Sequence, residues 1–163
     1  MTDVDPGRSA LLVVDMQPDF MPGGALPVDG GDVLVRPIAG VMGGDRFAHV
    51  VATQDWHPAG HVSFASEHGK QPFDVIDLHG QEQVLWPDHC VQGTAGAALH
   101  PDLPMDRFDM IQRKGTRPDV DSYSGFSENW NAAGERAPTG LGGWLRERGV
   151  TDVFVCGLAR HVC

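Results

Sequence analysis

The feature that most restricts the fold of this sequence is a continuous apolar run that ends in an acid. The run reads ALLVVD and extends from Ala10 to Asp15. A short apolar run bounded in this way suits a strand that is buried on both of its faces. Such strands are typical of parallel sheets, because helices cover both faces of those sheets. We therefore predict a parallel strand that ends at Asp15.

The rest of the chain continues this pattern with two helices and three more strands. The first helix shows apolar residues at helical spacing before a glycine pair, namely Leu34, Ile38, Val41, Met42, Gly43 and Gly44. The second helix has an apolar face of Leu141, Trp144 and Leu145. The strands read FAHVVATQD, DMIQRK and TDVFVCG. This alternation predicts an α/β fold in which helices flank a parallel central sheet, as one three-layer domain spanning residues 1–163.

The charge and cysteine content exclude several classes of function. The chain has 12 basic and 22 acidic residues, a formal net charge of −10, which argues against nucleic-acid and anionic-membrane partners. It contains no apolar run long enough to span a membrane, and its first residues do not resemble a signal peptide. The three cysteines have no disulfide-framework spacing, so we expect a reduced, cytoplasmic protein.

Polar residues follow the predicted strands and should meet at one edge of the sheet. Asp15, Asp55 and Lys114 each end a strand, and the turn 157–163 follows the last one. In open parallel sheets the active site lies beyond the carboxyl ends of the strands. Residues 56–115 are predicted to be mostly loop, and a second long loop covers residues 117–138. Loops of that length are usually functional.

One group of these residues has the character of a metal site. Asp55 and His57 are two positions apart, so their side chains point the same way from an extended backbone. His89 adds a third ligand from a distant loop, and His61 is a candidate fourth. A carboxylate with two imidazoles suits zinc, iron(II) or manganese. We predict one divalent ion, with zinc as the first choice.

A second group suits nucleophilic catalysis. A cation such as Lys114 lowers the pKa of a nearby thiol, and Asp15 can accept the thiol proton of Cys163. Backbone N–H groups of the following turn can bind an oxyanion. Taken singly, each residue also fits a structural role, as a loop cap, a surface lysine or an inert thiol. We read Cys90 and Cys156 as packing residues.

Aromatic side chains flank the same predicted edge. Phe20, Trp86 and Tyr123 can clamp a flat ring, although packing explains each of them equally well when it is taken alone.

Several motifs together resemble one family. They are LLVVDMQPDFMPGGALPV, TQDWHPAGHVSFAS, LWPDHCVQGTAGAALHPDL, DSYSGFSE and PTGLGGWLRERGVTDVFVCGLA, followed by the terminal cysteine. In this order, and over nearly the whole chain, they resemble the nicotinamidase branch of the isochorismatase-like cysteine hydrolases.

The resemblance implies a role for each candidate residue. Asp15, Lys114 and Cys163 would be the catalytic triad, and Asp55, His57 and His89 would hold the metal ion. His61 is a ligand in some members of the family and not in others. The nicotinamide pocket would be lined by Phe20, Trp86 and Tyr123. The backbone N–H groups of Ala159 and Cys163 would form the oxyanion hole, beside a cis bond between Leu158 and Ala159. The implied reaction hydrolyses nicotinamide, and also pyrazinamide, through a cysteine thioester.

The sequence departs from the family in two places. In the turn GLARHVC, His161 and Val162 replace an acid and an aromatic or histidine residue. This departure keeps open a sister amidase that acts on another small amide. Family members also continue past the cysteine, so we expect the natural polypeptide to be longer. The sequence would then stop at Cys163 either because this residue is modified or because the remainder was split off. A catalytically silent, metal-binding member is a further alternative, and a homo-oligomer is compatible with all of them.

Overall fold

The structure is a computed structural model that describes residues 4–158. Within that part of the chain there are six strands and two α-helices, and four of the strands form a central sheet. They are β1 (Ser9–Val14), α1 (Val35–Met42), β2 (His49–Asp55), β3 (Val75–Leu78), β4 (Gln81–Val84), β5 (Met110–Lys114), α2 (Leu141–Glu147) and β6 (Asp152–Gly157). The central sheet has the order β5-β2-β1-β6, and every pair in it is parallel.

Strand β1 is buried on both faces, as its uninterrupted apolar sequence predicts. Leu11 and Val13 pack into the cluster that contains the buried residues of α1. Ala10 and Leu12 pack on the opposite face against Leu141 of α2. Burying apolar surface on both sides of the strand fixes its place in the middle of the sheet. The predicted parallel sheet with flanking helices is confirmed.

The first helix begins later and is rotated relative to the prediction. A 3-10 turn precedes α1, and the buried side chains of the helix are Val35, Ile38 and Met42. The predicted apolar face was wrong for Leu34 and Val41, which are each 36% exposed. The irregular turn before the helix shifts the register of the face, and sequence spacing alone does not reveal such a turn. The helix ends at the predicted glycine pair.

A two-stranded hairpin occurs where the sequence predicted mostly loop. Strands β3 and β4 pair in antiparallel fashion, and their turn contains His79 and Gly80 at φ values of 56° and 78°. Two successive positive φ values are characteristic of the tight hairpin turn whose twist matches the strands. Four of the eight strand residues of the hairpin are exposed, three are half-buried and one is buried, and their sequence shows no strict alternation of apolar and polar residues.

The register of the sheet brings the strand ends together. Asp55 lies opposite Lys114, and Val14 lies opposite Gly157. Asp15 directly follows Val14 on the central strand. The three predicted polar strand ends therefore lie along one edge. No helix between residues 4 and 158 has the length and apolar character needed to cross a bilayer.

Candidate active site and metal centre

A buried lysine joins two strand-end carboxylates. The Nζ atom of Lys114 lies 2.9 Å from Oδ2 of Asp15 and also contacts Oδ1 of Asp55. All three side chains are buried. Charges removed from water are tolerated only when they are paired, so the lysine and the two acids form one electrostatic unit. The structure thus brings Asp15 and Lys114 together, as the sequence predicted.

Asp15 is held in an environment that suits proton transfer. Its backbone has a φ of 49°, in the left-handed region that non-glycine residues seldom adopt. Its Oδ1 atom accepts a 2.6 Å hydrogen bond from the hydroxyl of Thr53. Burial raises the pKa of the Asp15 carboxyl above its ordinary value, although the charge of Lys114 opposes the shift. A carboxylate with a raised pKa is a better proton acceptor near neutral pH.

Asp55, His57 and His89 converge as the sequence predicted. The Oδ2 atom of Asp55 lies 3.7 Å from Nε2 of His57 and 3.9 Å from Nε2 of His89. Two ligands that each lie about 2 Å from a zinc ion are separated by up to about 4 Å. The three atoms are therefore spaced to surround one ion.

The opposite nitrogen of each histidine is anchored to the backbone. Nδ1 of His57 lies 2.9 Å from the carbonyl oxygen of Gly115, and Nδ1 of His89 lies 2.7 Å from that of Pro87. A carbonyl oxygen only accepts, so each Nδ1 donates, and in the neutral imidazole each Nε2 carries the free lone pair. Anchoring of this kind is typical of metal-binding histidines, because it fixes both tautomer and ring orientation.

Gly115 makes room for the His57 ring. A Cβ atom at this position would lie 2.3 Å from the imidazole, and the φ of 59° also favours glycine. The residue after Lys114 must therefore lack a side chain for His57 to reach Asp55.

The charges of the cluster favour a cation. Burial opposes ionisation of Asp55, but Lys114 and His57 outweigh it and lower the pKa of this carboxyl. Burial also opposes protonation of His57, but the Asp55 carboxylate raises the pKa of this imidazole. Burial and the neighbouring His57 lower the pKa of His89. A metal ion would take the place of the His57 proton, since imidazole binds metals only in its neutral form. The donor set thus fits a divalent ion.

His61 is buried beside this cluster but is oriented differently. Its ring lies 4.3 Å from that of His57, measured between centroids. Its Nδ1 lies 2.7 Å from the Ser63 hydroxyl and its Nε2 lies 3.2 Å from the Val120 carbonyl oxygen. Both ring nitrogens therefore have protein partners. The potential metal ligands that lie near His61 are His57 and Asp121, whereas Asp55 and His89 form a separate group with His57.

The three predicted aromatic residues line a cavity of about 460 Å³ above the cluster. Phe20, Trp86 and Tyr123 form part of its walls, and the cavity also reaches Asp55, His57 and His89. The indole N–H of Trp86 donates a 3.2 Å hydrogen bond to the Tyr123 hydroxyl. A flat aromatic ligand in this cavity would therefore have the metal-binding residues within reach.

The sequence did not reveal two residues that hold the candidate metal ligands in place. The amide nitrogen of Gln17 donates 2.8 Å bonds to the carbonyl oxygens of Asp55 and Ala97, and its amide oxygen accepts from the Asp55 N–H. Oδ2 of Asp19 accepts a 2.7 Å bond from the N–H of Cys90, which follows His89. Both lie in the segment MQPDF, which directly follows the first strand and Asp15. The available signal was the presence of two polar residues within four positions of that strand end.

The nucleophile candidate Cys163, the oxyanion residue Ala159 and the Leu158–Ala159 bond lie outside the described residues. The chain approaches them beside Asp15. The N–H of Leu158 donates a 3.0 Å bond to the Val14 carbonyl oxygen. A side chain on Gly157 would lie 2.1 Å from that same oxygen, so only glycine fits at this crossing. Cys90 and Cys156 are free thiols, and burial raises the pKa of both, consistent with packing roles.

Known proteins share this sequence and architecture. The model of the isochorismatase domain family matches residues 9–163. A nicotinamidase from Acinetobacter baylyi is 50% identical over 155 residues, which cover 94% of this chain and 70% of the relative. The protein PnC1 from L. infantum, solved in complex with nicotinate, is 43% identical with a TM-score of 0.79. The match covers 96% of this chain and 69% of that one.

A pyrazinamidase from Pyrococcus horikoshii, solved in complex with zinc, is 41% identical. Its TM-score is 0.72, and the match covers 96% of this chain and 73% of that structure. The family match extends over nearly the whole chain, and the relatives match the same fold and bear the same class of name. This chain therefore belongs to the isochorismatase family of hydrolases, in the branch of the nicotinamidases.

Proposed function

We propose that this protein hydrolyses nicotinamide to nicotinate and ammonia, and that it also accepts pyrazinamide. The observation that carries the proposal is the buried Asp15–Lys114–Asp55 unit, which reaches an aromatic cavity through Asp55, beside two anchored histidines that also line it. A neutral aromatic amide fits that combination, because its ring packs between aromatic walls while its amide faces the proton acceptor. The names of the relatives and the nicotinate and zinc in their structures agree with it.

In the proposed mechanism Asp15 takes the thiol proton of Cys163, and the charge of Lys114 stabilises the resulting thiolate. The thiolate attacks the carboxamide carbon, and the oxyanion that forms is bound by the backbone N–H groups of Ala159 and Cys163. Asp15 returns the proton to the leaving ammonia, and the C–N bond breaks to give a thioester. Asp15 then deprotonates a water molecule that hydrolyses the thioester to nicotinate and regenerates the thiol.

Asp55, His57 and His89 would hold the metal ion, for which zinc is the first choice. When bound, the ion supplies a Lewis acid that orients the pyridine nitrogen, so its contribution is mainly to positioning. Gln17 and Asp19 fix the backbone of this ligand set, and Lys114 links it to the proton acceptor.

The proposed reaction places the protein in the salvage of pyridine nucleotides. Together with the cysteine usage, this favours a cytoplasmic location, and a homo-oligomer is compatible with the same chemistry. The negative net charge continues to disfavour nucleic-acid and anionic-membrane partners. We also propose that residues 1–163 belong to one hydrolase domain.

The decisive experiment measures ammonia release from nicotinamide, pyrazinamide and a panel of open-chain amides. Cys163→Ala is assayed beside the wild type, and Cys90→Ala serves as a matched control for removing a thiol. We expect release from the two aromatic amides that is lost in Cys163→Ala and retained in Cys90→Ala. Release confined to an open-chain amide would replace nicotinamide with a sister substrate. A metal-loaded, folded protein that releases no ammonia from any amide would overturn the proposal.

A further inference from the structure

The β3–β4 hairpin buries one polar residue against the wall of the cavity. Among the described strand residues of the hairpin, Gln83 alone is buried, with 4% of its surface exposed. The other strand side chains are exposed or half-buried. A hairpin that is mostly in water contributes little to the core, so the position of Gln83 calls for another explanation.

The Gln83 amide nitrogen connects two residues of the cavity wall. Its Nε2 atom lies 2.9 Å from Oδ2 of Asp121 and 2.9 Å from the hydroxyl oxygen of Tyr123. It also lies 2.8 Å from the carbonyl oxygen of Val84, so its two hydrogens are shared among three acceptors. Asp121 and Tyr123 both line the cavity.

The network continues from Tyr123 to Trp86. The Tyr123 hydroxyl oxygen accepts from the Trp86 indole as well as from Gln83, so its own proton is left to donate to Asp121. The two rings meet nearly at right angles, 6.4 Å apart between centroids. One glutamine amide therefore fixes the hydroxyl on which the aromatic wall depends, and it also binds the carboxylate beside it.

Packing alone does not account for this choice of residue. A buried amide is costly unless it is bonded, and an apolar side chain of similar size would fill the space without that requirement. Two of the three acceptors of Gln83, on Asp121 and Tyr123, belong to residues that line the cavity, and neither residue is part of the two apolar core clusters. The polar group is thus matched to Asp121 and Tyr123 in particular.

We propose that Gln83 is a positioning residue for substrate binding and that the hairpin serves to place it behind the Tyr123–Trp86 wall. The inference rests on the proposed function for its substrate, an aromatic carboxamide. The Gln83 side chain bonds to Val84, Asp121 and Tyr123, two of which line the cavity. We therefore expect its loss to weaken ring binding and to leave the chemical step intact. It is accordingly expected to act on KM rather than kcat.

The test compares Gln83→Met with Gln81→Met. Gln81 lies on the same strand, is exposed, and donates only to the neighbouring Gly80 carbonyl oxygen. We expect Gln83→Met to raise KM for nicotinamide about tenfold with kcat within about twofold, since buried acceptors lose their donor. Gln81→Met should match the wild type. Gln83→Asn, which keeps the amide but is one methylene shorter and so cannot reach the same acceptors, should raise KM in the same way and provides a second test if the methionine variant does not fold.

A second measurement reads the wall directly. Tyr123 is the one tyrosine of the sequence, so incorporation of 3-fluorotyrosine gives a single ¹⁹F resonance for the wall. We expect nicotinate to shift this resonance, and the Gln83 variants to shift or broaden it without ligand. In Gln81→Met it should coincide with the wild-type signal.

Folded Gln83 variants with an unchanged KM, or with a fall in kcat at constant KM, would overturn the proposal. A ¹⁹F resonance of Tyr123 that is identical in the Gln83 variants and in the wild type would also overturn it. If the wild type releases no ammonia from nicotinamide, the proposed function fails by itself. The resonance comparison then still decides whether Gln83 positions Tyr123.

Discussion

The floor and the wall of the cavity are built in different ways. We call the buried unit of Asp15, Asp55 and Lys114 the floor, because Asp55 lines the cavity and Lys114 links it to Asp15. These residues end three neighbouring parallel strands and are held by charge pairing. The wall consists of Phe20, Trp86 and Tyr123, which lie on connecting segments and are held in part by side-chain hydrogen bonds. Strand ends have their positions set by the whole sheet, whereas the wall depends on a few local contacts.

This difference suggests a division of labour. Groups that transfer protons must stay aligned to a fraction of an ångström, and a sheet edge provides that rigidity. Groups that select a ligand tolerate more change, and loops can vary without disturbing the core. Substitutions in the floor should therefore affect the chemical step and stability, while substitutions in the wall should affect binding.

The largest effect is expected for Lys114→Met. Removing this cation leaves two buried carboxylates facing each other, which should lower the free energy of unfolding by about 3–5 kcal/mol. It should also lower kcat by about 10³, because the thiolate loses its stabilising charge. Chemical denaturation and ammonia release measure the two effects, with the exposed Lys70→Met as the control. A stable Lys114→Met protein with wild-type turnover would show that the floor is not an electrostatic unit.

Removal of a metal-binding residue should come next. His89→Ala should weaken zinc binding at least about a hundredfold, whereas His61→Ala should change it by only a few-fold, because both ring nitrogens of His61 already have partners. Competition with a chromophoric chelator measures zinc affinity independently of activity. An equal loss of zinc affinity in the two variants would place His61 among the metal ligands, contrary to this prediction.

A change in pH dependence should follow from Thr53→Val. The Thr53 hydroxyl donates to the ionised Asp15 carboxylate and so lowers its pKa, against the effect of burial. Without that bond the carboxyl holds its proton to higher pH. The acidic limb of the kcat/KM profile should therefore move upward, while Thr53→Ser, which keeps the hydroxyl, should leave it in place. If the acidic limb of the kcat/KM profile does not move in Thr53→Val, the ionisation of Asp15 does not control that limb.

The smallest effect is expected for Tyr123→Phe. The variant keeps the ring but loses the hydroxyl that accepts from Gln83 and Trp86. KM for nicotinamide should rise several-fold and kcat should stay within about twofold, measured by initial rates. Trp130→Phe, a change at an exposed aromatic residue that does not line the cavity, is the control. A large loss of kcat would instead assign Tyr123 to the chemical step.

The sequence predicted the floor better than the wall for a physical reason. Parallel strands that are buried on both faces must be apolar throughout, so β1 could be predicted from its sequence. Its carboxyl end then predicted the position of Asp15 at the sheet edge. Half of the strand side chains of the hairpin are exposed, and its sequence lacks a strict apolar alternation. Gln83 therefore could not be distinguished from the polar residues around it. The 3-10 turn before α1 was also not predicted, and the helix buries Val35 in place of the predicted Leu34 and Val41.

By itself the sequence determined the parallel α/β fold, the family and the candidate set of Asp15, Lys114, Asp55, His57 and His89. The fold follows from local periodicity, the candidate residues from residue types at strand ends and at fixed spacing, and the family from the resemblance of the motifs. The tertiary structure decided how His61 is oriented, what Gln17 and Asp19 hold, and that Gln83 meets Tyr123. These are contacts between residues far apart in the chain, and their directions depend on how strands, turns and loops pack together.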